Sequence, residues 1–350
     1  MDAADLDYDL PAAAIAQTPI EPRDAARLLV DQGVDSPPAH RHVRDLPSLV
    51  GPGDLIVVND TRVIPARLKL RKASGGAVEV LLLERRPEGW WEALVRPSRR
   101  VAAGTVLRPA DDPASDLTVT VGEVLGDDGR RAVSIDGGDD DLRAVAAIGE
   151  VPLPPYIHEA LADPERYQTV YAAAPGSVAA PTAGLHLTHD VLDRCRAGGA
   201  DVVAVELVVG LGTFRPITAE RVEDHPMHAE RYRIPPAAAA AIEGGDRRVL
   251  AVGTTVVRAL ESWAATGEAE GATSLFIRGD HPWAVVDRLL TNFHVPRSSL
   301  LALIDAFIGP RWRTLYEAAI ADGYRMLSFG DAMLLERGGR PAAPHAEAQR

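Results

Sequence analysis

The apolar run Leu55-Ile56-Val57-Val58 constrains this chain more than any other feature. Four consecutive apolar residues, without alternation, mark a strand covered on both faces, and such strands belong to sheets flanked by helices. The run stops at Asn59-Asp60-Thr61-Arg62. In open α/β sheets, polar residues at the carboxyl end of a strand face the ligand crevice. Asn59, Thr61 and Arg62 are therefore candidate ligand contacts.

The texture then changes. Short β-prone runs recur at 67–71, 77–83, 90–95, 105–108, 117–125 and 131–135. Ser74-Gly75-Gly76 and Gly126-Asp127-Asp128-Gly129 read as hairpin turns between them. This spacing predicts a small antiparallel barrel, with a short helix over 139–148 leading out. After Pro152-Leu153-Pro154-Pro155 the α/β pattern returns. Strands are expected at 202–209, 248–252, 285–290 and 325–328, with helices between them. The expected fold is α/β: a three-layer domain with a mostly parallel sheet, from residues 1–65 and 151–336, and a small antiparallel β-barrel inserted at 66–150. Residues 337–350, rich in Pro, Ala and Gly, read as a disordered tail.

Composition narrows the function. With 350 residues, 46% of them hydrophobic and 25% charged, the chain reads as a soluble globular protein of one or two domains. No apolar run reaches the roughly 18 residues of a membrane span. Met1-Asp2-Ala3-Ala4-Asp5 lacks the basic start of a signal peptide, so the cytoplasm is the expected address. Cys195 is the single cysteine, which excludes an intrachain disulfide and a cysteine-based zinc site. A net charge of -13 argues against nonspecific coating of nucleic acid. Two acid-free clusters nevertheless fall in the barrel region: Arg67, Lys69, Arg71 and Lys72, then Arg96, Arg99, Arg100 and Arg108. Each is either a solvated face or a phosphate-contacting patch.

Candidate chemistry lies in the second α/β stretch. Ala179-Ala180-Pro181-Thr182-Ala183-Gly184-Leu185-His186 combines small residues, a rigid proline and a histidine before a predicted helix over 188–196. Backbone this poor in bulk approaches a ligand closely, and His186 beside it is a candidate proton carrier. Gly210-Leu211-Gly212-Thr213-Phe214 is a second such turn. Gly253-Thr254-Thr255 runs from a strand into a helix, where free amides suit an anion, although an ordinary helix capped by Thr254 or Thr255 reads the same way. Arg258 lies one turn on. Thr291-Asn292-Phe293-His294 ends another strand, and Gly330-Asp331-Ala332-Met333 places Asp331 after the last expected strand, at a helix start. His186/His189 and His225/His228 lack a metal-binding signature, and no dinucleotide, P-loop or hydrolase-elbow motif occurs.

These segments, together with Tyr8-Asp9-Leu10-Pro11, Tyr156-Ile157 and Tyr167-Gln168-Thr169-Val170-Tyr171, stand in an order that resembles one family over residues 7–335. It is the S-adenosylmethionine:tRNA ribosyltransferase-isomerase family of queuosine biosynthesis. The resemblance implies transfer of the ribosyl part of S-adenosylmethionine to the aminomethyl group of a 7-deazaguanine in the tRNA anticodon. The sugar rearranges to an epoxycyclopentanediol, and adenine and methionine leave. It implies no metal or redox cofactor, S-adenosylmethionine as co-substrate, and the tRNA anticodon stem-loop as partner; we expect a monomer.

On that footing His186, His294 and Asp331 are the acid/base candidates. Asn59, Thr61, Arg62, Pro181, Thr182, Ala183, Gly184, Gly210, Gly212, Thr213, Gly253, Thr254, Thr255, Arg258 and Asn292 are the substrate-binding candidates. Arg67, Lys69, Arg71 and Lys72 are the RNA-binding candidates. The chain departs from the family pattern at Leu187, Val208, Ala229, Arg278 and Phe329; Val208 replaces a histidine. Two alternatives follow: a diverged relative acting on a small acceptor, or a noncatalytic RNA-binding homologue.

Overall fold

A computed structural model describes residues 1–112, 115–126, 129–137, 141–210 and 217–339. In chain order, the first strands are β1 (Arg27–Val30), β2 (Ala39–His42) and β3 (Asp54–Asn59). Next come β4 (Thr61–Val63), β5 (Arg67–Lys72), β6 (Ala77–Arg85), β7 (Trp91–Arg96), β8 (Thr105–Pro109), β9 (Thr118–Val124), β10 (Arg130–Asp136), α1 (Asp141–Ile148) and β11 (Gly149–Glu150). Then follow β12 (Ala174–Ser177), α2 (His189–Ala197), β13 (Asp201–Leu207), β14 (Glu230–Arg233), α3 (Pro236–Glu243), β15 (Arg248–Val252) and α4 (Thr254–Thr266). The chain closes with β16 (Glu270–Thr273), β17 (Arg288–Asn292), α5 (Ser299–Ile308), α6 (Trp312–Ala321) and β18 (Ala332–Glu336).

Two compact units result. The first comprises Met1–Thr61, Pro154–Ala174 and the chain from Ala180 onward. Its nine-stranded sheet has the order β16-β14-β13-β3-β15-β17-β18-β1-β2. The central run β13-β3-β15-β17 is parallel, as expected of an α/β sheet. Toward both edges antiparallel pairs appear, so the sheet as a whole is mixed. All six residues of β3 are buried, consistent with cover on both faces. One face buries Leu28, Ile56, Leu250, Leu290 and Leu334 against Val191, Leu192 and Cys195 of α2. Thr188 caps α2 by accepting from Val191 N.

The second unit comprises Arg62–Leu153 and Pro175–Ala179. Six strands in the order β5-β6-β7-β10-β9-β8 close into a barrel through β8 and β5, and β11 adds to β5. Alternation decides its faces: Leu68, Leu70, Val78, Val80, Val95, Leu107 and Val121 are buried inside, whereas Lys69, Arg71 and Arg108 are exposed.

Three local expectations change. Residues 325–328 form no strand, because Leu327 adopts φ 68; the last strand is β18, which follows Asp331. Asp331 therefore starts no helix. Of the expected tail, Arg337–Gly339 make a 3-10 turn, and residues 340–350 lie outside the described residues. Asp127 and Asp128 of the second hairpin turn, and Asp139 and Asp140 at the expected start of α1, also lie outside them. No helix of the described residues is long and apolar enough to cross a membrane.

Candidate active site

Parallel strands end together, so the carboxyl ends of β15 and β17 deliver their following loops to one place. From β15 the chain enters α4 through Gly253, which has φ 93 and is the helix N-cap without a side-chain hydrogen bond. Only glycine adopts that backbone at no steric cost. Thr254 and Thr255 consequently fall in the first turn of α4 rather than capping it. From β17 the chain runs into Phe293 and His294. The 3-10 turn over Thr182–His186 and the Leu327-Ser328 loop supply two more walls.

These pieces line an open cleft. Its lining includes Pro181, Thr182, Ala183, Gly253, Thr254, Thr255, Asn292 and His294 from the sequence-derived set. It also includes Tyr156 and Thr291, which stand within the motifs above, and Ser328, at the end of the expected strand 325–328; none of the three is among the sequence-derived site candidates. The walls are laced together by side chains. Thr182 Oγ1 donates to Asn292 Oδ1 at 2.8 Å, Asn292 Nδ2 donates to the Leu327 carbonyl at 3.2 Å, and the Tyr156 and Ser328 hydroxyls meet at 2.7 Å.

His294 is the one imidazole in the described lining. Its peptide is clamped on both sides: Tyr8 Oη donates to its carbonyl at 2.6 Å, and its N–H donates to Tyr316 Oη at 2.9 Å. Its Nε2 lies 3.0 Å from Thr291 Oγ1. No described residue bonds Nδ1, which is not sealed from solvent. Burial pushes the ring pKa down to about 3, so the imidazole is neutral at pH 7. The neutral ring is the form that accepts a proton, and an anionic ligand bound beside it raises the basicity that burial lowers.

The other two acid/base candidates are elsewhere. His186 does not line the cleft; Nδ1 lies 3.1 Å from the Ala183 carbonyl and Nε2 2.8 Å from the Gly330 carbonyl. Burial lowers its pKa and favours the neutral ring, which has a single N–H to give. Its geometry is that of a pin between the 182–186 turn and the Gly330 loop. Asp331, 2% exposed, accepts from Arg27 N and Arg325 N, each at 2.8 Å. It fixes backbone rather than facing the cleft. A Cβ on Gly330 would come within 2.3 Å of the Arg325 carbonyl, so this crossing requires glycine.

Several substrate-binding candidates are likewise wired into the scaffold. Asn59 is fully buried; it donates to the Leu207 carbonyl at 2.9 Å and accepts from Leu207 N and Thr61 N. Thr61 Oγ1 points to the same carbonyl at 3.4 Å. Arg62 is the first residue of the barrel unit. Gly184 lies against Tyr171. Arg258, expected to hold an anion, donates to Glu230 and to the carbonyls of Thr273 and Leu275. Glu230 in turn accepts from Gly210 N at 2.9 Å, so this buried pair holds the main chain at Gly210. Gly212 and Thr213 lie outside the described residues. Among the described residues, no three His, Cys, Asp or Glu side chains gather as metal ligands would.

The five departures from the family pattern are absent from the described cleft lining, where Val209 rather than Val208 appears. Leu187 is in the core beside α2, Ala229 is exposed, Phe329 packs edge-on against Tyr167, and Arg278 lies over Phe276.

Comparison with known proteins identifies the family. A family described as "Queuosine biosynthesis protein" matches residues 3–335. An S-adenosylmethionine:tRNA ribosyltransferase-isomerase of Rubrobacter xylanophilus is 49% identical, over 96% of this chain and 98% of the relative. One of Thermus thermophilus is 51% identical, over 94% and 98%. The crystal structure of an S-adenosylmethionine tRNA ribosyltransferase from Thermotoga maritima is 35% identical, covers 94% of this chain and 99% of its own, and aligns with a TM-score of 0.53. The chain belongs to the S-adenosylmethionine:tRNA ribosyltransferase-isomerase family of queuosine biosynthesis and is an enzyme of that transferase class.

Proposed function

We propose that the cleft binds S-adenosylmethionine and passes its ribosyl part, with isomerisation, to the aminomethyl group of a 7-deazaguanine in the anticodon of a tRNA. The observation that carries this is His294: a neutral imidazole in the cleft lining whose Nε2 is held by Thr291 and whose Nδ1 has no hydrogen-bond partner among the described residues. With Nε2–H given to Thr291, Nδ1 presents a lone pair. That lone pair takes the acidic proton from the carbon beside the sulfonium, or frees the substrate amine as nucleophile. The imidazolium then returns the proton to adenine as it leaves.

The first-turn amides of α4 at Thr254 and Thr255 favour an anionic group, and the methionine carboxylate is the one available. Thr182, Asn292 and Ser328 offer hydrogen bonds to the sugar. Because none of the five departures is in the described lining, a switch to another acceptor has no support from the cleft.

The test is to incubate the protein with S-adenosylmethionine and either precursor tRNA or the free deazaguanine, and to measure adenine and methionine by mass spectrometry. Both products should appear with tRNA. Release with the free base alone would replace this reading with the small-acceptor alternative, and no release with either would favour a noncatalytic RNA-binding protein.

A further inference from the structure

The barrel brings together two basic clusters that are far apart in sequence. β5 and β8 lie antiparallel where the barrel closes, and Arg71 stands directly opposite Arg108. From the end of β5, Lys72 Nζ reaches the main-chain carbonyl of Arg100. Arg71, Arg100 and Arg108 are exposed, and Lys72 is half-buried. The side-chain partners of Arg71, Lys72 and Arg108 are carbonyls, of Gly75, Arg100 and Ser115. No described carboxylate pairs with any of these four side chains.

Like charges set directly opposite across a ladder destabilise the pair, and proteins ordinarily answer them with opposite charge. That answer is used elsewhere on the same barrel. Lys69 faces Glu79 and ion-pairs with Glu150 at 2.6 Å, and Glu92 bridges Arg86 and Arg130. In a chain of net charge -13, an unanswered basic face has a polyanion as its complement. Guanidinium forks match phosphate oxygens bidentately.

We infer that the barrel face carrying Arg71, Lys72, Arg100 and Arg108 grips the phosphate backbone of the RNA acceptor, an inference that rests on the tRNA reading above. The patch differs from the one expected from sequence. Lys69 ion-pairs with Glu150, and Arg67 lies opposite that same Glu150 in the ladder; neither belongs to it. Phosphate contacts position an RNA without reading its sequence, so base selection falls to another part of the protein.

Filter binding of an unmodified tRNA transcript to the full-length protein, across about 50–200 mM salt, tests this. R71A/R108A should weaken binding and lower the slope of log K against log salt by about 1.5, the share of two phosphate contacts. K69A should keep a slope close to wild type. Because R71A/R108A removes a like-charge opposition, its thermal unfolding should come no earlier, which separates lost contact from lost fold. Wild-type affinity and slope in R71A/R108A, while the wild type binds tRNA, would overturn this inference alone. A wild-type protein that binds no tRNA would overturn the tRNA reading, and this inference with it.

Discussion

Replacing Arg258 separates a scaffold role from a ligand role. The guanidinium is 6% exposed and its partner Glu230 is 5% exposed. Arg258→Ala leaves a buried carboxylate without its counter-ion, a loss of about 3–5 kcal/mol. The Thr273 and Leu275 carbonyls lose their donors as well. At roughly 2–4 °C per kcal/mol for a chain of a few hundred residues, the midpoint should fall by about 6–20 °C. Glu230→Gln alone should also destabilise, since it strands the arginine. Arg258→Met combined with Glu230→Gln should recover much of the loss, because a neutral amide still accepts from Gly210 N. Urea titration of the wild type, Arg258→Met, Glu230→Gln and the double variant closes the cycle and gives the coupling, expected at about 2–3 kcal/mol. The reasoning fails if Arg258→Ala keeps the wild-type midpoint and instead raises the KM for S-adenosylmethionine tenfold, as an anion-binding arginine would.

Other expectations follow from the same geometry. His186→Ala and Asp331→Ala should lower stability by about 1–3 kcal/mol for each buried group left unpaired, with kcat nearly kept at low temperature; a kcat loss at full stability would return them to the chemistry. Gly330→Ala drives a methyl into the Arg325 carbonyl and should cost about 2–4 kcal/mol in a denaturant titration. For His294 the folded pKa is about 3, below the ordinary value near 6.5. The unfolded chain therefore binds the proton first, and this contribution to stability, complete above pH 6.5, is lost as pH falls toward 3. His186 shifts in the same direction. His294→Asn should flatten part of that acid limb; an unchanged pH–stability curve would show that the ring is not held neutral.

The strands were legible wherever periodicity was strong. Residues 55–58 fall within β3, the barrel runs match β5 to β10 within a few residues, and 248–252 is β15. The error at 325–328 has a physical cause: Arg325-Met326-Leu327-Ser328 has the composition of a strand, but the following Gly330 and Asp331 bend the chain so tightly that Leu327 takes a left-handed conformation. Which polar residues face the cleft was less legible. Asn59, Thr61 and Asp331 stand at strand ends, where a polar side chain serves a ligand or the backbone equally well. Here they serve the backbone, through partners such as Leu207 and Arg27 that lie hundreds of positions away in one case and over a hundred in the other. Arg258 similarly found Glu230 on β14 instead of a neighbour on its own helix. Tyr156 carried a usable signal, since it follows the Pro-Leu-Pro-Pro run that re-enters the α/β unit.

The central claim is that His294 moves the proton in this cleft. Single-turnover reaction of S-adenosylmethionine with precursor tRNA, followed by adenine release, compares wild type with His294→Ala at equal folded concentration. A rate lower by about 10²–10⁴-fold, with S-adenosylmethionine binding retained, is the predicted result. A variant that releases adenine at the wild-type rate would contradict it.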